Sequence, residues 1–263
     1  MRKSLIILLV LSFFILNITG CDKMEQKTKI TVASYNVQCL SYGAQLEQIS
    51  EEIKSINPDI IGIQELDNNT RRTNYTVQIE RLAQAADYKY FYFSKTIDFD
   101  GGEYGHGIMS KYPITSFETI PFTIQDSENR CFSRAEIKIN NTKIVLYNTH
   151  LEFGGNIQDK QIAEIFNLAQ KDEYSIITGD MNCVPATYKD CFDGDKMLSL
   201  NGGNDFTDFF NTCPEGENSY LPIDNIIVSK SFDCYYDDMA KSNLIINKTE
   251  NSDHNMIYTH LNF

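Results

Sequence analysis

The chain has 263 residues, with 23 Lys or Arg against 36 Asp or Glu, and a formal net charge of −13. So acidic a chain, with no basic run after Lys3, disfavours a general duplex-binding role, which draws its affinity from Lys and Arg neutralising phosphates. Its length suits one large α/β domain, and no Gly/Ser-rich or Pro-rich linker divides it.

Arg2 and Lys3 precede an apolar run from Leu5 to Ile18, shorter than the roughly 20 residues a spanning helix needs. This pattern reads as a signal peptide over residues 1–20. It closes on Ile18-Thr19-Gly20-Cys21, which resembles the lipobox of bacterial lipoproteins. The resemblance implies lipidation of Cys21, a short tether over 21–28, and a folded part over 29–263 held outside the cytoplasm at the bacterial cell envelope by its acyl chains. A plain secretory signal cleaved near Gly20 is the alternative. Cys39, Cys131, Cys183, Cys191, Cys213 and Cys234 remain. An exported chain permits disulfides, and Cys183 to Cys191 is the expected local bridge. No CxxC pair occurs, so a zinc or redox site has little support.

Lys29 to Val37 alternates apolar and polar residues and predicts a strand ending in Ser34-Tyr35-Asn36. Leu46, Ile49, Ile53 and Ile56 then fall at helical spacing, with Asn57-Pro58 as the stop. Asp59 to Glu65 reads as a short buried strand, Tyr75 to Ala86 as a second helix, and Tyr88 to Phe93 as an aromatic strand. The Gly- and Asp-rich segment from Asp98 to His106 predicts a loop. Strands follow over Thr115 to Ile124, Phe132 to Ile139 and Lys143 to Thr149, the last two joined at Asn140-Asn141, so antiparallel pairing is expected.

Gln158 to Gln170 predicts a third helix, and Tyr174 to Asp180 a strand that delivers Asp180 and Asn182 at its mouth with Met181 turned inward. Residues 187–221 show weak periodicity and predict long loops of the kind that shape a substrate mouth. Strands over Pro222 to Val228 and Met256 to Leu261 close the chain, the second preceded by Ser252-Asp253-His254.

The strand ends thus offer Asn36, Glu65, His150, Asp180, Asn182, Asp224, Asp253 and His254. There is no nucleophile elbow and no phosphate-binding P-loop. Carboxylates and amides with two imidazoles suit hydrolysis at phosphorus with a hard divalent cation, whose oxygen ligands leave room for phosphate and water.

Ala33-Ser34-Tyr35-Asn36-Val37, Ile63-Gln64-Glu65, Tyr147-Asn148-Thr149-His150, Gly179-Asp180-Met181-Asn182, Ile223 to Val228 and Ser252-Asp253-His254 resemble, in order, the signatures of the endonuclease/exonuclease/phosphatase superfamily. The resemblance runs from about Lys29 to the C-terminus. It implies a four-layer α/β sandwich like deoxyribonuclease I, two central mixed sheets flanked by helices, and a Mg²⁺-dependent phosphoesterase in which Mn²⁺ can substitute. Residue by residue, it implies Glu65 as the principal metal ligand, with Asn36 and Asp253 binding or ordering the ion. Asp180 and Asn182 flank the water and scissile phosphate, His254 is the catalytic histidine with Asp224 as its partner, and His150 serves the phosphate or the leaving oxygen. Phe132-Ser133-Arg134 resembles the strand that presents a phosphate-contacting arginine. His106 stands where the family commonly has Asn, and a solvent-facing loop histidine is expected there.

Within this reading the substrate stays open among sugar or inositol phosphates, phospholipids and nucleic acid, the last disfavoured by charge. The competing class is a catalytically silent surface-binding module, which would be free to lose Glu65 or His254.

Overall fold

Alternation along the first strand buries Ile30 and Val32 on one face and Ala33, Tyr35 and Val37 in a different cluster, so the strand has a core on both sides. The structure, a computed structural model, describes residues 27–43, 45–154, 156–191, 193–202, 210–214, 220–234 and 244–263. The leader and Cys21 lie outside these residues.

The strands in chain order are β1 (Lys29–Asn36), β2 (Ile60–Asn68), β3 (Tyr90–Phe99), β4 (Gly102–Ser110), β5 (Ile114–Pro121), β6 (Cys131–Ile139), β7 (Thr142–His150), β8 (Ser175–Asp180), β9 (Met197–Ser199), β10 (Cys213–Pro214), β11 (Tyr220–Leu221), β12 (Asp224–Ser229), β13 (Asp233–Cys234), β14 (Ile245–Asn247) and β15 (Met256–Asn262). The helices are α1 (Leu46–Ile56), α2 (Gln78–Ala85) and α3 (Gln158–Ala169). One sheet runs β13-β15-β1-β2-β4-β3, with β14 also on β15, and the other runs β5-β6-β7-β8-β12-β9. Both are mixed: β1 and β2 pair in parallel, as do β7 and β8, while their other neighbours are antiparallel.

Three apolar clusters match the three interfaces of a four-layer sandwich. Ile30, Val32, Ile60, Ile137, Ile176 and Ile226 fill the space between the sheets. Ile49 and Ile53 of α1 and Ile79 and Leu82 of α2 pack on the outer face of the first sheet. Ile162, Ile165 and Phe166 of α3 cover the second. Burial of such residues at about 25 cal/mol per Å² is the main force holding the layers together.

At its site end the inter-sheet layer is polar. Asn148 donates to the carbonyls of Ile63 and Gly107 at 3.2 and 2.9 Å, and accepts from Gln64 at 2.6 Å and Thr178 at 3.0 Å. Gly62 makes room for this knot, since a Cβ there would lie 2.2 Å from Thr178 Oγ1 and 2.4 Å from Asn148 Oδ1.

Three expectations are corrected. The segment expected as a loop over Asp98 to His106 is the β3–β4 hairpin, turning at Asp100 and Gly101, both with positive φ. Its glycines serve close approach: a Cβ on Gly105 would sit 1.9 Å from the Ser94 carbonyl oxygen. His106 is accordingly a strand residue, 1% exposed. The second helix begins at Gln78 and not Tyr75, because Asn74 and Tyr75 adopt positive φ and Val77 bridges to Asn68. Cys183 and Cys191 are free thiols, and Cys191 lies 3.4 Å from the Asp159 carbonyl oxygen.

Candidate active site

The carboxyl ends of β1, β7 and β8 open at one rim of the sandwich, where the parallel pairings place Asn36 beside Gln64 and His150 beside Asp180. A bulge between Ile63 and Leu66 in the β2–β4 ladder, with Glu65 at φ 58°, turns the Glu65 side chain out of the alternation toward the same rim. Asp224 begins β12 directly opposite Asp180.

Asn36 joins the two halves. Its Nδ2 donates to Glu65 Oε1 at 3.1 Å and to Asp180 Oδ2 at 3.0 Å, while its Oδ1 accepts from the Gln38 backbone N–H at 3.1 Å. Asn36 therefore orders the two carboxylates. The Asp180 Oδ2 atom also lies 3.5 Å from His150 Nε2 and 3.6 Å from His254 Nε2. His254 Nδ1 is 2.8 Å from Asp224 Oδ2, which fixes the ring and its tautomer. Ser252 donates to the Asn36 carbonyl at 2.8 Å, and Gln38 donates to Asp253 at 3.1 Å, bringing the final motif against the end of β1.

Burial and charge separate the titrating groups. Burial pushes the Asp180 carboxyl up from the ordinary range, reinforced by Asp224 and opposed by His254. Burial alone would lower His254, but the charge and hydrogen bond of Asp224 outweigh it and hold the imidazolium well above its ordinary range. His150 is pushed well below its ordinary value by burial, then by Arg130, His254 and His106. His106 is lowered to about 3 by burial and by Arg130. At neutral pH His254 is thus held charged, while His150 and, outside the cleft lining, His106 are held neutral.

The residues fit a divalent cation. Glu65, Asp180 and Asp253 line one cleft, and the buried Asp224 Oδ1 has no hydrogen-bond partner among the described residues. Ligand atoms of Asp180, Asp224 and His254 also lie within 4.8 Å of one another. Because His254 Nδ1 is committed to Asp224, that trio is better suited to handling a proton, and Glu65 is the freer cation ligand.

Sequence expectations meet this geometry unevenly. Asn36, Glu65, His150, Asp180, Asn182, Asp224, Asp253 and His254 all gather at this rim. Asn182 arrives differently: β8 stops at Asp180 and Asn182 sits at φ 48°, donating from its side chain to the Leu151 carbonyl at 2.9 Å. Arg134 does not reach the site. Strand alternation puts it on the outer face of β6, where it meets Glu136 at 2.8 Å, Tyr147 Oη at 3.4 Å, and Glu118 and Asp172 at 3.8 Å. Arg130, just before β6, lines the cleft instead, 7% exposed. It pairs with Glu128 at 3.2 Å, and its Nε has no hydrogen-bond partner among the described residues. No periodicity or motif marked it, since it stands in a loop.

The family model described as "Endonuclease/Exonuclease/phosphatase family" matches residues 33–235. No curated protein matches by sequence. Similar solved structures include an endonuclease/exonuclease/phosphatase family protein from Bacteroides thetaiotaomicron, 18% identical, TM-score 0.68, over 90% of this chain and 99% of that one. The Bacteroides thetaiotaomicron mannosyl-6-phosphatase is 18% identical with TM-score 0.65, over 89% and 100%. TDP2 from D. rerio, complexed with single-strand DNA product, is 18% identical with TM-score 0.68, over 90% and 100%. At such identities the likeness is one of fold.

Proposed function

Because the chain belongs to the endonuclease/exonuclease/phosphatase family, whose members are hydrolytic phosphoesterases and in general depend on a divalent metal, we propose that it is a Mg²⁺-dependent phosphate-ester hydrolase. The observation that carries this reading is the Asn36 side chain, which holds Glu65 and Asp180 together while Asp180 faces both His150 and His254.

Glu65 would hold the cation, with Asp253 nearby and Asn36 ordering the carboxylates. A bound divalent ion supplies positive charge to the phosphoryl oxygens as negative charge builds on them. The protein's own groups divide the remaining work. Water aligned against phosphorus gives its proton to Asp180, whose raised pKa makes it the better acceptor, since His254 is already protonated. The His254 imidazolium, paired with Asp224, donates toward a phosphoryl oxygen and stabilises the charge that develops there. His150 and Arg130, which line the same cleft, would serve the leaving side. Neutral His150 would donate an N–H to the departing oxygen, and Arg130, paired with Glu128 at 3.2 Å, would add positive charge beside it.

The acyl-anchored address is part of the same proposal: lipidation at Cys21 would place this hydrolase on the outer side of a bacterial membrane. Metabolic labelling with a fatty-acid analogue, lost in Cys21→Ser, tests it.

The activity is tested with bis(p-nitrophenyl) phosphate and p-nitrophenyl phosphate in Mg²⁺ or Mn²⁺. Turnover is expected to vanish on chelation and in Glu65→Ala. Turnover surviving both would remove the metal-dependent mechanism, and a folded chain without turnover on any phosphate ester would favour a silent binding module.

A further inference from the structure

The cleft above the Asn36–Asp180 centre encloses about 690 Å³, and its floor and walls differ in chemistry. The floor carries Glu65, Asp180, His150 and His254, whereas Ile97, Phe99, Tyr104, Phe153, Leu221 and Ile223 contribute to the sides. The side formed by β3 and β4 is packed together by its own side chains. Arg72 lies over the Phe99 ring at 4.4 Å, and the Tyr104 ring is tilted against Phe99 at 6.2 Å. Phe153, also lining the cleft, stands 77% exposed.

The cations near these walls are already committed. Arg72 is held by both oxygens of the buried Asp67, at 2.5 and 2.6 Å. Arg130 is paired with Glu128 at 3.2 Å. No lysine lines the cleft among the described residues, while Glu128 and Asp253 do. A second phosphate on the substrate would therefore meet carboxylates and aromatic rings. Polyanion sites need the opposite, a row of cations available to the backbone charges.

We propose that the cleft takes an ester with one phosphoryl group and an uncharged leaving group whose apolar body, about one ring wide, lies against the Ile97–Phe99–Tyr104 wall. The inference rests on the reading of the floor as a phosphoesterase centre. Hydrolysis forms one bond from water oxygen to phosphorus and breaks the bond from phosphorus to the leaving oxygen. That oxygen takes up, in net terms, the proton that the attacking water gives up, so an alcohol or phenol and a phosphate with one ester link fewer are released. The wall acts by removing apolar surface of the leaving group from water, and the absence of uncommitted cations among the described residues of the cleft acts against polyphosphorylated or polymeric competitors.

The test uses the full chain with Mg²⁺ or Mn²⁺ and four probes: 2-phenylethyl phosphate, glucose 6-phosphate, fructose 1,6-bisphosphate and a single-stranded oligodeoxynucleotide. The first two both release primary alkoxides, so their intrinsic reactivities are close and a difference reports on the wall. We expect kcat/KM for 2-phenylethyl phosphate to exceed that for glucose 6-phosphate by about 10-fold or more, with the bisphosphate and the oligonucleotide lower still. In Phe99→Ala that ratio should fall several-fold, chiefly through KM, and Phe99→Leu should keep most of it; Ile97→Thr serves if Phe99→Ala does not fold. Equal rates for the first two probes, a preference for the bisphosphate or the oligonucleotide, or a ratio unmoved by both wall variants would overturn the substrate class and leave the phosphoesterase reading standing. No turnover of any probe with either metal would overturn the reading beneath it.

Discussion

His254 Nδ1 and Asp224 Oδ2 are 2.8 Å apart, and the second oxygen of that carboxylate has no hydrogen-bond partner among the described residues. The carboxylate thus spends its charge on one imidazole. In Asp224→Asn the charge disappears while the shape stays, so His254 loses the group that keeps it protonated against burial. We expect kcat on p-nitrophenyl phosphate to drop roughly 100-fold or more, with unfolding temperature little changed. An equal loss in KM alone would place the pair outside the chemical step.

Glu65 stands at a ladder bulge with a positive φ, so its side chain has been re-aimed at a cost in backbone strain. Glu65→Gln keeps the fold and removes the charge that attracts the cation. Calorimetric titration with Mn²⁺ should show affinity weakened by about 10- to 100-fold. Unchanged affinity would transfer the ligand role to Asp180 and Asp224.

The two arginines near β6 separate cleanly. Arg130→Met removes a buried cation from the cleft and should raise KM for phosphate esters about 10-fold, the equivalent of about 1.4 kcal/mol. Arg134→Met removes ion pairs on the outer face and should leave both kinetic constants within about two-fold, with a stability cost of about 1 kcal/mol or less. Steady-state kinetics of the two variants side by side decides it.

His106 is buried and neutral, with its pKa at about 3 against an ordinary value of 6.5. Between these values the unfolded chain binds a proton that the folded chain refuses, so the group's contribution falls as pH falls below 6.5, by about 1.4 kcal/mol per unit. Asp180, raised by burial, pulls the other way over part of this window, so the total curve is not diagnostic. The difference between wild type and His106→Gln is. Urea melts from pH 7 to pH 5 should show the variant losing less stability on acidification than the wild type.

Much of this was readable in the chain. The six motifs carry the residues that meet at the rim, because strands of a sandwich present their termini together, and the family resemblance of those motifs implied the four layers. The glycines of β4 misled: Gly102 and Gly105 looked like a loop, although they are where neighbouring backbone approaches too closely for a Cβ. Arg134 carried a motif yet faces outward, because the parity of β6 puts it with Phe132 and Glu136 against the α3 side. Arg130 had no signal, as its placement depends on where a loop crosses the cleft. The metal-ligand geometry at Glu65 depends on a bulge that no alternation pattern announces.

Asn148 is not among the residues that line the cleft, but it clasps β2, β4 and β8 from the middle of the sandwich. Glu65 and the segment that carries His254 into β15 ride on one of the two sheets so fastened, and His150, Asp180 and Asp224 on the other. Were that clasp cut, the sheets could slip past each other by a fraction of an ångström, and the jaws of the reaction centre would close out of alignment although every residue in them was intact.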